Sequence, residues 1–481
     1  MTPAQTLMIA AARARLGERA VIDDRELIAP WLTDWRGRYH GQAPAMLQPA
    51  DTAGVAAIVA LAAEYGVALV PQGGNTSMVG GATPPSDGSA LILSLRRLNA
   101  VRSVSQSEGR AVVEAGVILA DLQAAADARG MRFPLTLGSR GSATIGGLVS
   151  TNAGGTQVLR FGTMRRLVTG IEAVLPDGSV HDGLSSLKKD NRGYDLDQLL
   201  IGAEGTLGIV TAAALTLVPG IAVRAVAWAG LRSPEDALAL LRRIEARTEL
   251  VESFEIIPGD TLALAIAHVP GGRSPVVGTH RWHVLIEAAS GDPQADPAAT
   301  LETLLANAIA DGLVADATIA ASEAQAAAFW TLRDSLSAAE RATGPAAQHD
   351  ISVPVPAMPR FMIEAAAAVE ARFPGTHATA FGHLGDGNVH FHVRAPAGAD
   401  PARWYAHDAP VATRFVHDLV VAAGGSISAE HGIGQMKRDE LARLGPPSRL
   451  AALRAIKTAF DPQGLFNPGK LVSLARDLPA T

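Results

Sequence analysis

The sequence predicts an α+β protein built from two or three domains. Its 481 residues exceed the size at which one hydrophobic core stops growing, helical and strand-like segments alternate along the chain, and two glycine-rich stretches are far too long for hairpin turns. Natural breaks fall at Pro219-Gly220 and at Gly424-Gly425, so the expected domains are 1–220, 221–424 and a closing segment 425–481.

The elements follow in order. Residues 51–65 are Ala-rich with helical patterning; Asp51 is placed to cap the N-terminus and Gly66 to end the helix. A strand pattern at 67–70 runs into a loop at 71–81. Strands are expected at 91–95 and 110–116, and a helix at 119–128. A second glycine-rich region covers 134–155, a strand pattern resumes at 168–175, and Pro176-Asp177-Gly178-Ser179 turns the chain. Beyond 220, helices are expected over 233–248, 298–311, 329–343 and 354–372, with a strand over 282–287.

Composition removes several classes of function. The chain is 48% hydrophobic and 18% charged, with 48 glycines and 4% aromatics, as expected of a soluble globular protein rich in turns. A net charge of −6, with basic pairs no longer than Arg96-Arg97 and Lys188-Lys189, gives no footprint for nucleic acid. No apolar run approaches the roughly 18 residues of a membrane span. The N-terminus lacks an early basic region, and its apolar stretch at 7–12 ends at Arg13, so no secretory signal is expected and the cytoplasm is the default location. With no cysteine, disulfides, thiolate catalysis, iron–sulfur clusters and a cysteinyl cofactor link are excluded.

Four of the 13 histidines fall in two short segments beside a carboxylate: Gly382-His383-Leu384-Gly385-Asp386-Gly387-Asn388-Val389-His390-Phe391-His392 and Glu430-His431. Imidazole with carboxylate suits a divalent ion, zinc foremost, with manganese, cobalt or iron behind it. Asn388, His390 and His392 alternate with Val389, Phe391 and Val393, as on a strand with one polar face. The intervening glycines allow a turn that brings His383 towards His390, with Asp386 bracing it. A buried histidine cluster satisfied by hydrogen bonds is the competing account, and a metallohydrolase is an alternative use of a metal.

The loop at 71–81 offers consecutive backbone N–H groups on Gly73 and Gly74, with the side chains of Asn75, Thr76 and Ser77. This is what a diphosphate requires. It matches neither the Walker pattern nor the dinucleotide fingerprint. The region 138–155 supplies a second surface on which backbone could lie against a large planar cofactor.

Several segments now stand in a familiar order: Pro71-Gln72-Gly73-Gly74-Asn75, Gly146-Gly147 to Asn152-Ala153-Gly154-Gly155, Arg160-Phe161-Gly162, Gly202-Ala203-Glu204-Gly205-Thr206-Leu207-Gly208, Gly382-His383 to His390, Glu430-His431-Gly432-Ile433-Gly434 and Asn467-Pro468-Gly469-Lys470. Together, over residues 35–475, they resemble the FAD-linked 2-hydroxyacid dehydrogenases of the vanillyl-alcohol-oxidase superfamily, in the branch of the D-2-hydroxyglutarate and D-lactate dehydrogenases. The resemblance implies a two-subdomain FAD-binding domain, an α+β cap domain over the flavin, and a C-terminal segment completing the site.

By that resemblance FAD lies on Pro71, Gly73, Gly74, Asn75, Thr76 and Ser77. Gly138, Ser142, Thr144, Gly147, Asn152, Gly154 and Ile209 line it further, and Asn467 and Lys470 close the site. The loop has no histidine and the chain no cysteine, so the FAD is expected to be non-covalent. His383, His390 and Glu430 are the expected metal ligands, with His431 shared between ligand and catalytic base. Arg333 and, one helical turn on, Ser337 are expected to contact a small 2-hydroxy acid. Two positions depart from the family: Gln348 stands where relatives commonly carry Lys, and His392 where they carry Asn, both at expected substrate contacts. His349 or His392 is expected to compensate. The expected acceptor is an electron-transfer flavoprotein or a quinone-linked carrier, and a homodimer is left open.

Overall fold

The computed structural model describes residues 1–185, 187 and 189–474; Lys188 and position 475 therefore lie outside the described residues. The chain divides into two compact units. The first comprises Met1–Gly155, Gly162–Pro219 and the chain from Glu430 onward; the second comprises Thr156–Phe161 and Gly220–Ala429. Against the boundaries expected from sequence, the closing segment belongs with the first unit, and residues 156–161 leave it for the second. The reason for that excursion is local: Arg160 Nη1 bonds the Glu252 carboxylate at 2.7 Å and the Ala289 carbonyl at 2.8 Å, while Leu159 packs where Gly385 leaves room.

The first unit holds two larger sheets. A four-stranded sheet runs Val21–Ile22, Met46–Leu47, Ala90–Ser94, Ala68–Gln72, its last three strands parallel. An antiparallel five-stranded sheet runs Val101–Ser105, Arg110–Glu114, Ile209–Thr216, Val168–Val174, Val180–Asp182. The helix Thr52–Tyr65 feeds the parallel pair. Asp51 accepts from Gly54 N at its start, and Gly66 ends it in the left-handed region at φ 65°. Val55, Ile58, Leu69, Leu91 and Leu93 are buried in the core beneath that helix. The C-terminal segment joins the same sheet through a parallel bridge between Leu69 and Phe466.

The second unit is an antiparallel seven-stranded sheet in the order Asp316–Ile319, Val223–Leu231, Trp282–Ser290, Val251–Pro258, His377–His383, Asn388–Arg394, Ala346–Ser352. Its main core, including Phe254, Ile286, Phe361 and Phe391, covers one face; the long helix Glu323–Ala342 packs on the other through Phe329, Leu332 and Leu336. That helix starts six residues before the expected 329, because Ser322 caps it by accepting from Gln325 N. No described helix is long and apolar enough to cross a membrane.

The glycine-rich hairpin between His383 and Asn388 forms as its composition predicts. Asp386 Oδ1 accepts from Asn388 N at 2.9 Å, and Gly387 sits at φ 81°. A Cβ there would meet the Val353 carbonyl at 2.1 Å. Gly387→Ala is therefore expected to destabilise the protein by about 1–3 kcal/mol. Thermal unfolding followed by circular dichroism measures this, and an unchanged midpoint would contradict it.

Candidate active site

Two sets of residues carry chemistry, one in each unit. In the first, a cavity of about 700 Å³ is bounded by both glycine-rich loops and by the C-terminal segment. The loops pack backbone against backbone: a Cβ on Gly73 would meet Thr144 Oγ1 at 2.1 Å, and one on Gly74 the Ser142 carbonyl at 1.9 Å. Only glycine permits this approach. Of the residues singled out in sequence, Pro71, Gly73, Gly74, Asn75, Thr76, Ser77, Gly138, Ser142, Thr144, Gly147, Gly154 and Asn467 line the cavity, and so do Glu430 and His431.

Three expected contacts lie outside that lining. Ile209 is a buried strand residue beneath it. Asn152 ends the helix Ile145–Thr151 in the left-handed region, and its Oδ1 accepts from Arg165 N at 2.9 Å. Lys470 is buried, and burial followed by the charge of Arg438 lowers its ammonium to about 8. Some side chains on the loop serve the loop itself: Asn75 Nδ2 donates to the Thr33 carbonyl at 2.9 Å, and Ser77 Oγ accepts from Gly81 N at 3.0 Å.

The cavity fits a flavin dinucleotide. Its volume lies in the range of cofactor pockets, and Gly73 and Gly74, packed against the second loop, offer backbone donors on that wall. Thr144 Oγ1, Gln72 Oε1 and Asn467 Oδ1 are buried without a protein partner, which is the signature of groups that bond a ligand.

Sequence reading gave no role to Glu204, which also lines the cavity. Its carboxylate accepts from Ile433 N and Gly434 N, both at 2.7 Å, while Asn467 Nδ2 donates to its carbonyl at 2.7 Å. Burial pushes its carboxyl up, and the two backbone donors oppose that shift. Its backbone is left-handed at φ 52°. The signal was an acid inside a run of glycines, a pattern that reads equally well as a turn.

In the second unit the hairpin pairs His383 with Asn388 and Phe381 with His390. Val389, Phe391 and Val393 are fully buried in the core, and His390 and His392 lie on the opposite face, as alternation requires. The His383 and His390 rings come within 5.3 Å, nearly perpendicular at 80°. Burial, and then the charges of His383 and Arg333, push His390 well below its ordinary value, so it is neutral and keeps a lone pair. Two imidazoles this close, one of them neutral, suit a divalent ion.

Glu255, also missed in sequence, stands opposite His383 across the strand pair. Its Oε1 lies 2.6 Å from His383 Nδ1, and its Oε2 accepts from Arg333 Nε at 2.8 Å and Nη2 at 2.7 Å. Burial alone would raise its carboxyl, but Arg333 and His383 more than offset this and hold it below its ordinary value. Ser337 follows Arg333 one turn later, half-buried. Gln348 and His392, the two departures from the family pattern, are direct cross-strand partners. His349 faces the other way, its ring bonded to the Phe391 carbonyl at 2.9 Å and to Thr413 Oγ1 at 3.0 Å. Strand alternation thus removes His349 from the face it was expected to serve.

Comparison with known proteins supports the cofactor reading of the first unit. The family described as FAD binding domain matches residues 43–183, and that described as FAD linked oxidases, C-terminal domain, matches residues 221–471. The chain is 37% identical to the mitochondrial D-2-hydroxyglutarate dehydrogenase of Bos taurus, over 96% of this chain and 83% of that one. It is 36% identical to the D-2-hydroxyglutarate dehydrogenase of Xanthomonas citri pv. viticola, over 91% of each. Its fold is similar to that of p-cresol methylhydroxylase, with a TM-score of 0.76 and 15% identity over 98% of this chain and 97% of that one. The matched families, the relatives and the cofactor cavity define an FAD-dependent oxidoreductase. The chain belongs to the FAD-linked D-2-hydroxyacid dehydrogenase family.

The loop packing has a direct consequence. Gly74→Ala is expected to part the two loops and weaken FAD binding by about 1–3 kcal/mol. Visible flavin absorbance per protein, titrated against added FAD, measures the loss; full occupancy at wild-type affinity would contradict it.

Proposed function

We propose that this enzyme oxidises D-2-hydroxyglutarate to the 2-oxo acid with the help of a divalent metal, zinc foremost, and passes the electrons to a protein or quinone-linked acceptor. The observation that carries the metal reading is the His383–His390 pair, two close imidazoles with a carboxylate fixed on Nδ1 of the first. Glu430 is the proposed third ligand. It follows directly where the chain leaves the second unit, and it is a cavity-lining carboxylate. The substrate reading rests on what the relatives named above act on.

In this reading the 73–77 loop and the 138–154 stretch would hold FAD, which would supply the hydride acceptor. His383, His390 and Glu430 would hold the metal, which would supply a Lewis acid that makes a substrate hydroxyl more acidic. His431 takes the hydroxyl proton on a ring nitrogen. Arg333 and Ser337 hold the substrate's carboxylate, the guanidinium being anchored through Nε and Nη2 by Glu255. One feature favours a second reading, D-lactate or another D-2-hydroxy acid without a distal carboxylate: Gln348 and His392 are cross-strand partners, and the family pattern commonly has Lys and Asn there.

Anaerobic reduction of the bound flavin by D-2-hydroxyglutarate and by D-lactate, each with and without chelator, separates these readings. Bleaching by D-2-hydroxyglutarate that chelator abolishes and zinc restores is the expected result. Faster bleaching by D-lactate would move the substrate to the second reading, and chelator-insensitive bleaching would remove the metal. His383→Ala and Glu430→Gln are each expected to slow reduction at least about a hundredfold while leaving FAD bound. Wild-type rates in either variant would sink the ligand assignment.

A further inference from the structure

We infer that Glu255 is the positioning residue of the metal site: its carboxylate fixes the tautomer and orientation of His383 and anchors Arg333 beside it. The inference rests on the proposed metal reading and extends it to a residue outside the ligand set.

Glu255 is held by the sheet itself. It lies on the strand Val251–Pro258, every residue of which is buried, directly opposite His383 on the neighbouring strand. Its side chain is 1% exposed, so nothing but protein faces its oxygens. An uncompensated carboxylate here would carry a large desolvation penalty. Both oxygens are in fact used, Oε1 by His383 Nδ1 and Oε2 by two nitrogens of Arg333.

That division of labour determines the imidazole. A carboxylate is an acceptor only, so the hydrogen of His383 must sit on Nδ1 and the lone pair on Nε2. Nε2 is then the nitrogen that carries the lone pair a metal would need, and the 2.6 Å contact prevents the ring from flipping. Arg333 Nη2 lies 3.3 Å from both ring nitrogens, and equal distances place it over the ring rather than along either lone pair. The carboxylate also balances the guanidinium, so a cation can sit nearby at lower electrostatic cost.

Glu255→Gln tests this with little change in volume. An amide oxygen can still accept from Arg333 or from His383 but no longer serves both as an anion. Metal content per chain is measured by mass spectrometry after dialysis against graded dipicolinate. The cobalt-substituted protein is compared by its visible ligand-field bands, with flavin content and thermal midpoint as checks on folding. The expected result is one zinc per wild-type chain, a metal affinity about 10–100-fold weaker in Glu255→Gln, altered cobalt bands, and unchanged FAD. Wild-type protein that binds no metal would overturn the metal reading itself. Wild-type protein that binds zinc while Glu255→Gln binds it equally well, with identical cobalt bands, would overturn only the role of Glu255. Loss of zinc and FAD together would mark a structural residue and also overturn it. If Glu255→Gln does not fold, Glu255→Asp decides by the same measurements: its shorter reach must weaken zinc binding for the inference to stand.

Discussion

The buried carboxylate of Glu204 ties together parts of the first unit that are distant in sequence. Its two oxygens hold the backbone N–H groups of Ile433 and Gly434, and its carbonyl is held by Asn467, which also bonds the Gly81 carbonyl. The loop after the first strand of the cofactor cradle, the middle of the unit and the C-terminal segment thus share one anchor. Hydrogen bonds to a charged acceptor are the stronger kind, about 1.5–3 kcal/mol each, and here they are shielded from water. The left-handed backbone of Glu204 is tolerated because so many bonds determine it. Glu430 and His431, on the cavity wall, stand three and two residues before Ile433, where this anchor takes hold.

The second unit uses a buried acid in a different way. Glu255 arises from strand register, not from a loop, and it binds two side chains instead of two backbone groups. A loop segment needs its main chain fixed, and backbone N–H groups do that. A reactive imidazole needs its tautomer fixed, and an acceptor on one ring nitrogen does so; for His383 it is the Glu255 carboxylate. Both acids carry a desolvation cost that would be prohibitive without partners.

Much of this was legible beforehand. The helix Thr52–Tyr65 announced both its ends through Asp51 and Gly66, since caps are local chemistry. The alternation of Val389, Phe391 and Val393 with the histidines gave the strand and its two faces. The spacing of glycines gave the hairpin that brings His383 near His390. The cavity lining at 71–77 and 138–154 was legible because close backbone approach leaves glycines in the sequence. The missed residues have a common cause. Glu204 and Glu255 are single acids whose roles depend on partners 229 and 128 positions away, and no local pattern marks such pairs. His349 was misplaced for the opposite reason: proximity in sequence suggested a shared site, while strand alternation put it on the other face.

The sequence alone therefore determined whatever is written in short-range periodicity and residue type: the α+β order, the glycine loops, the absence of thiol chemistry and the histidine-bearing hairpin. Tertiary structure decided which groups share an environment. It separated Asn152, Ile209 and Lys470 from the cavity lining, set Gln348 opposite His392, and brought Glu255 to Nδ1 of His383. The physical reason is that caps, turns and alternating faces are satisfied within a few residues, whereas a buried charge must find its counterpart wherever the fold places one.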